Sequence, residues 1–113
     1  MEDSKQDISP FRALDFIRDN SEKYAIAKAN VVYMTEYRKT IKAMLMNEST
    51  AKTQTERESY AYADKRYIAH LEALRQAIEA AEYLRWLMIG AEAKIEVWRS
   101  LESTARAEGK ATQ

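Results

Sequence analysis

Apolar residues recur at spacings of three and four along most of this chain, the period of helices that bury one face. The first half carries this spacing at Ala27, Met34, Tyr37, Ile41 and Met44. The second half repeats it nearly as a heptad, at Leu71, Leu74, Ile78, Ala81, Leu84, Met88, Ala91, Ile95 and Trp98. A sustained heptad predicts helices packed in a left-handed supercoil, with Asn30 as a polar residue that fixes the register.

Capping residues predict where the first helices begin and end. Residues 1–8 are expected to be a disordered lead, and Ser9-Pro10 then starts a short helix over 10–19. The cap-forming run Asp19-Asn20-Ser21 predicts a stop before a second helix over 21–47.

A polar run without apolar period predicts the turn of a helical hairpin. Residues 48–55 read ESTAKTQT, and we expect them to form a loop. A helix over 56–108 should follow, ending at Gly109 before a short tail over 109–113. Asp64 is a candidate cap, so a break near 64 remains an alternative to one continuous helix.

Composition supports an all-α chain. A length of 113 residues suits a single domain, and 2 Gly, 1 Pro and 32% charged residues are typical of long helices. We therefore expect a long antiparallel helical hairpin with a short N-terminal helix. The polar, acidic start and the lack of any apolar run near 18 residues predict a cytoplasmic protein without a membrane span.

A second apolar stripe predicts that the chain assembles. From Asp64 to Glu108 the last helix should be roughly 65 Å long, whereas the second helix covers only about 40 Å of it. In the excess part, a stripe at helical spacing lies opposite Met88 and Ile95; this second stripe consists of Tyr83, Trp86, Gly90, Ala93 and Val97. A homo-oligomer or a partner helix would cover it. The alternative is that Trp86 packs under the N-terminal helix of the same chain.

Candidate chemistry for an enzyme is missing from the residue pattern. There is no Cys, and a single histidine, His70, lacks the repeated Glu-x-x-His of di-iron bundles, so we expect no metal. Two isolated glycines cannot form a phosphate-binding loop, so no cofactor is expected. With 18 basic and 18 acidic residues, net charge favours no polyanionic partner. The pattern predicts a protein that is not an enzyme.

A local cluster of tyrosines and cations supports a second hypothesis, in which the protein binds nucleic acid. Tyrosines can stack on bases and cations can bind phosphate, and both types occur together near the predicted hairpin tip. The candidate contacts are Arg57, Tyr60, Tyr62, Lys65, Arg66 and Tyr67.

Five segments of the chain carry a resemblance to a known family. They are residues 32–39 (VYMTEYRK), 42–46 (KAMLM), 56–63 (ERESYAYA), 84–86 (LRW) and 95–100 (IEVWRS). Together they resemble a family of small bacteriophage and prophage proteins whose function is uncharacterised. The family has AHPEY where residues 63–67 read ADKRY, so the proline that would break the helix is missing. The resemblance implies a phage protein in the host cytoplasm, accessory to recombination or replication, and it implies no catalytic residue.

The function predicted from these patterns is that of a non-enzymatic adaptor acting through helix–helix assembly. Its partner would be a second copy of itself or a phage or host protein. Two alternatives remain: an accessory protein that binds single-stranded nucleic acid, and an inhibitor that docks on a host protein.

Overall fold

In the computed structural model, which describes residues 9–111, the chain forms three α-helices. They are α1 over Pro10–Glu48, α2 over Gln54–Ala63 and α3 over Lys65–Ala111. No strand occurs among the described residues, so the predicted all-α class is confirmed. The expected disordered lead at 1–8 lies outside the described residues, as do the last two residues of the expected tail.

The predicted stop between 19 and 21 is wrong, because α1 continues through it. The side chains of the cap-forming residues bond backwards along the helix instead of capping a new one. Asn20 Nδ2 donates to the carbonyl of Phe16 at 2.8 Å, and the Ser21 hydroxyl donates to the carbonyl of Ile17. The expected helices over 10–19 and 21–47 are therefore one helix of 39 residues.

The turn region divides into a short linker, a short helix and a break. The Thr53 hydroxyl accepts from the backbone N–H of Glu56 at 3.2 Å, which caps α2. Asp64 separates α2 from α3 in an extended conformation, and its Oδ1 accepts from the backbone N–H of Arg66 at 2.8 Å. The break near 64 thus exists without a proline, because the aspartate caps α3.

The predicted end of the last helix at Gly109 is wrong, since α3 runs on to Ala111. Glycine costs about 1 kcal/mol of helix propensity relative to alanine, but it does not force a stop. The expected tail over 109–113 is therefore helical in its first three residues.

Most of the least exposed positions of α1 and α3 follow an alternation of three and four. In α1 they are Ala13, Ile17, Asn20, Tyr24, Ala27, Val31, Met34, Arg38, Ile41 and Leu45, and in α3 they are Tyr67, His70, Leu74, Ala77, Ala81, Leu84, Met88, Ala91 and Ile95. This is the heptad period of coiled-coil packing.

This register corrects part of the predicted seam. The large residues Tyr37, Met44, Leu71 and Ile78 are exposed, as is Asn30, which therefore does not fix the register from within a seam. The inner positions of α3 hold His70 and Ala77 instead of Leu71 and Ile78. Phe11 and Leu14 near the start of α1 are exposed as well, whereas Ala13 beside them is buried.

The chain divides into two compact units. One comprises Tyr24–Glu82, and its core joins all three helices through Leu45, Ala61 and Tyr67, with Ile41 and Met46 packed against them. His70 donates from Nε2 to the carbonyl of Met34 at 2.7 Å in this unit. The other unit comprises Met1–Lys23 with Tyr83–Gln113, and in its described part Ala13 and Ala91 are buried.

Candidate interaction surface on α3

The second stripe lies on the side of α3 that faces away from the buried heptad positions. Tyr83 is 67% exposed, Trp86 is 62% exposed and Val97 is 46% exposed, and Gly90 and Ala93 between them are exposed as well. Large apolar side chains that form a contiguous exposed patch are typical of interaction sites. The five residues predicted from the sequence therefore share one open surface.

Gly90 is a gap at the centre of this stripe. A Cβ atom added there would meet no atom within 4 Å, so nothing in the same chain approaches it closely. Helix propensity alone would favour alanine at this position. The absence of a side chain leaves room for a neighbouring helix to approach α3.

A basic groove of about 430 Å³ borders one side of the stripe. It is formed within one unit, between the start of α1 and α3, and its lining is Ser9, Arg12, Ala13, Phe16, Trp86, Leu87, Gly90, Ala91 and Lys94. This lining contains two cations, Arg12 and Lys94, and two aromatic rings, but it contains no carboxylate. We call this site the basic groove.

An acidic groove of about 520 Å³ borders the other side of the stripe. Its lining is Ile89, Glu92, Ala93, Ile95 and Glu96, so it contains two carboxylates and no cation. Glu96 also pairs with Arg99 along the helix, with 3.1 Å between Oε1 and Nη1. The stripe therefore lies between two grooves that both have apolar walls. One groove carries two cations, and the other carries two carboxylates.

Trp86 has contacts within its own chain as well as a large exposed surface. Its ring lines the basic groove together with Phe16 of α1, and the guanidinium of Arg85 lies 5.3 Å from the ring centroid. Packing of the N-terminal part of α1 against Trp86 would involve only the part of the residue that lines this groove, because Trp86 is 62% exposed. It does not account for Tyr83 or Val97, neither of which lines that groove.

The six candidate nucleic-acid contacts lie in the unit Tyr24–Glu82. Two of them already bond to or pack against other residues of that unit. Tyr67 is only 8% exposed and belongs to the core, so its ring is not available for stacking on a base. Arg66 donates to both carboxylate oxygens of Glu48, at 3.1 and 2.9 Å, and also to Asp64. The hydrogen bonds from Arg66 hold the pKa of Asp64 below its ordinary value, so this carboxylate stays charged beside it at neutral pH.

Two further candidates are partly engaged. Tyr62 has Lys42 Nζ 4.9 Å from its ring centroid and stacks edge-on against Tyr67 at 5.2 Å. Arg57 donates from Nε to the carbonyl of Ala51 at 2.8 Å. Tyr60 and Lys65 are exposed. Arg57, Tyr62 and Arg66 thus contact the linker, α1 or both sides of the break at Asp64 within the same unit.

We expect no salt-dependent binding of single-stranded DNA at this tip. The test is retention of a labelled oligonucleotide on immobilised protein between about 50 and 200 mM salt, a range over which phosphate contacts weaken steeply. Retention that falls with salt and disappears in the variant Tyr60→Ala, Tyr62→Ala, with helicity unchanged, would contradict this expectation. It would then establish the tip as a nucleic-acid site.

Neither metal clusters nor membrane spans are found in residues 9–111. Within that range no three His, Asp or Glu side chains converge as metal ligands, and no helix is both long and apolar enough to cross a bilayer. Comparisons with protein-family models, curated proteins and solved structures found no match. The resemblance to phage and prophage proteins stays a prediction.

Proposed function

We propose that this protein is a non-enzymatic helical adaptor that assembles with a second copy of itself through the second stripe. The observation that carries the proposal is the exposure of Tyr83, Trp86 and Val97 on the outward side of α3. Burying a large apolar side chain stabilises an assembly by about 1.5–3 kcal/mol. A second copy offers the same stripe, as a two-fold interface requires.

The scaffold proposed for this stripe is an antiparallel, coiled-coil-like hairpin of α1 and α3. Support comes from the heptad burial of both helices and from contacts between the later part of α1 and the start of α3. Glu48 pairs with Arg66, and the carbonyl of Met34 accepts from His70. A helix whose one seam is used within the hairpin keeps its opposite face for a partner.

The biological setting is proposed from the family resemblance alone. It is that of a phage protein in the host cytoplasm, accessory to recombination or replication. Docking of the same stripe on a phage or host protein is the competing proposal, and the inhibitor hypothesis is one form of it. Self-assembly is favoured because the stripe is bordered by charges of both signs, which a second copy can match.

Co-expression of tagged and untagged copies tests self-assembly. The tagged wild-type protein should retain the untagged wild-type copy, and Val97→Glu in both copies should weaken retention by about tenfold or more, because an unpaired carboxylate would be buried in the contact. Val32→Glu is the matched control, since Val32 is 57% exposed on α1, outside the stripe.

Three results would contradict the proposal. Retention could be absent for the wild-type copies, or it could be equally sensitive to the two valine substitutions. Retention of a different protein, but of no second copy, would favour docking on a partner over self-assembly.

A further inference from the structure

We infer that the second copy packs in parallel with the first, as a two-fold dimer in which the basic groove of each copy faces the acidic groove of the other. This inference rests on the proposed self-assembly and adds the orientation and the charged contacts that fix it. The observation behind it is the distribution of charge on the two sides of the second stripe.

The positions of the flanking residues along α3 define the two sides. Leu87 and Lys94 follow stripe residues by one position, and they line the basic groove. Ile89 and Glu96 precede stripe residues by one position, and they line the acidic groove. Residues next to a helix–helix seam are the ones whose charges select partner and orientation.

Symmetry decides which flanks meet. In a parallel two-fold pair, the axis runs along the helices, so each flank faces the opposite flank of the second copy. Lys94 of one copy then faces the side that carries Glu96 of the second copy, and this contact occurs twice. The apolar walls of the two grooves, with Trp86 on one side and Ile89 on the other, meet between these charges.

An antiparallel pair would bring like flanks together. The flank that carries Glu96 in one copy would then face the same flank of the second copy. Like charges across a seam are unfavourable. It would also leave each acidic groove facing another acidic groove, so the charge distribution favours the parallel pair.

Charge reversal separates the two orientations. In a parallel dimer, Glu96→Lys brings the introduced lysine of one copy close to Lys94 of the other and should weaken self-association by about tenfold. In an antiparallel dimer, the same substitution would relieve the repulsion between the two acidic flanks that face each other and strengthen self-association. Lys94→Glu should also weaken the parallel dimer, and an equimolar mixture of the two single variants should recover association as a heterodimer.

A matched control removes the effect of simply changing a surface charge. Glu36→Lys breaks an ion pair with Lys39 at 3.1 Å, and the Glu36 side chain is 65% exposed. Glu96 has the same pair length to Arg99 and the same exposure. Glu36→Lys should therefore leave self-association unchanged.

A single introduced thiol measures the orientation directly, because the chain has no cysteine. Thr104 lies seven residues after Val97 on the same side of α3, and it is exposed. In a parallel pair Thr104→Cys places the two thiols side by side, so mild oxidation should yield a disulfide-linked dimer. In an antiparallel pair about Gly90 the thiols would be about 42 Å apart along the helix axis.

The outcomes distinguish this inference from the proposal on which it rests. A wild-type protein that stays monomeric overturns both. A wild-type dimer that is strengthened by Glu96→Lys, or that gives no disulfide with Thr104→Cys, overturns the parallel arrangement alone. A dimer weakened by Glu96→Lys and by Lys94→Glu, restored by mixing and cross-linked at position 104, supports both.

Discussion

Replacing Gly90 with leucine is expected to abolish self-association while making the isolated chain more stable. The added side chain meets open space within the chain, since a Cβ at Gly90 has no atom within 4 Å. Leucine also has a better helix propensity, by somewhat under 1 kcal/mol. In the assembly the same side chain would enter the centre of the contact between two copies, where overpacking typically costs about 1–3 kcal/mol per copy.

Gly109→Leu is the matched control for this substitution. A Cβ at Gly109 also meets nothing within 4 Å, and the residue is likewise helical, but it lies outside the second stripe. It should leave the mass of the assembly unchanged. Light scattering gives the mass of each variant, and thermal unfolding at low protein concentration gives the stability of the single chain.

The contrary result for Gly90→Leu is equally clear. If the stripe were covered within the chain, the substitution would lower the melting temperature at every protein concentration and leave the mass unchanged. That outcome would favour packing of the stripe under α1 of the same chain.

Replacing Leu45 with alanine is expected to cost about 2–5 kcal/mol of unfolding free energy. Leu45 is 2% exposed and packs with Ala61 and Tyr67, so its loss leaves a cavity where the three helices meet. Domains of this size are stable by only about 5–15 kcal/mol. The substitution should therefore remove a large fraction of the stability, measured by urea unfolding followed through helical circular dichroism.

Met44→Ala tests the same account with a neighbouring residue. Met44 is 53% exposed, although the apolar spacing of the sequence placed it in the seam. Its loss should change the unfolding free energy by no more than about 0.5 kcal/mol. Equal costs for Met44→Ala and Leu45→Ala would show that the register of α1 described above is incorrect.

The contrast between these two residues explains how far the sequence could predict the fold. The period of apolar residues identifies a helix, and it did so for α1 and α3. The period does not decide which of two adjacent stripes is buried in the helix contact. Large apolar residues such as Leu71 and Ile78 lead to the prediction that their stripe is the buried one, although both are exposed. The inner position between Leu74 and Ala81 instead holds Ala77, whose small side chain allows helices to approach closely.

The helix ends show a second limit of the sequence patterns. Cap-forming residues can bond to the carbonyls of a preceding turn as readily as they can start a helix. Asn20 and Ser21 do the first, whereas Thr53 and Asp64 do the second. Neighbouring residue types alone do not separate these outcomes, since tertiary packing decides whether the chain continues straight.

The candidate surface was predictable in part. The second stripe follows from spacing, because its five members lie on one side of any α-helix at those positions. The grooves beside it were missed. Lys94 and Glu96 could have been recognised as charges on opposite flanks of the stripe, but Arg12 and Phe16 reach the basic groove only through the packing of α1.

Sedimentation equilibrium of the wild-type protein, from about 1 to about 100 µM, tests self-assembly through the second stripe most directly. The account predicts a mass that rises with concentration from the 13.1 kDa of one chain towards twice that value. In the Val97→Glu variant this rise in mass should occur only at concentrations about tenfold higher or more. A wild-type protein that remains at 13.1 kDa over the whole range would contradict the account.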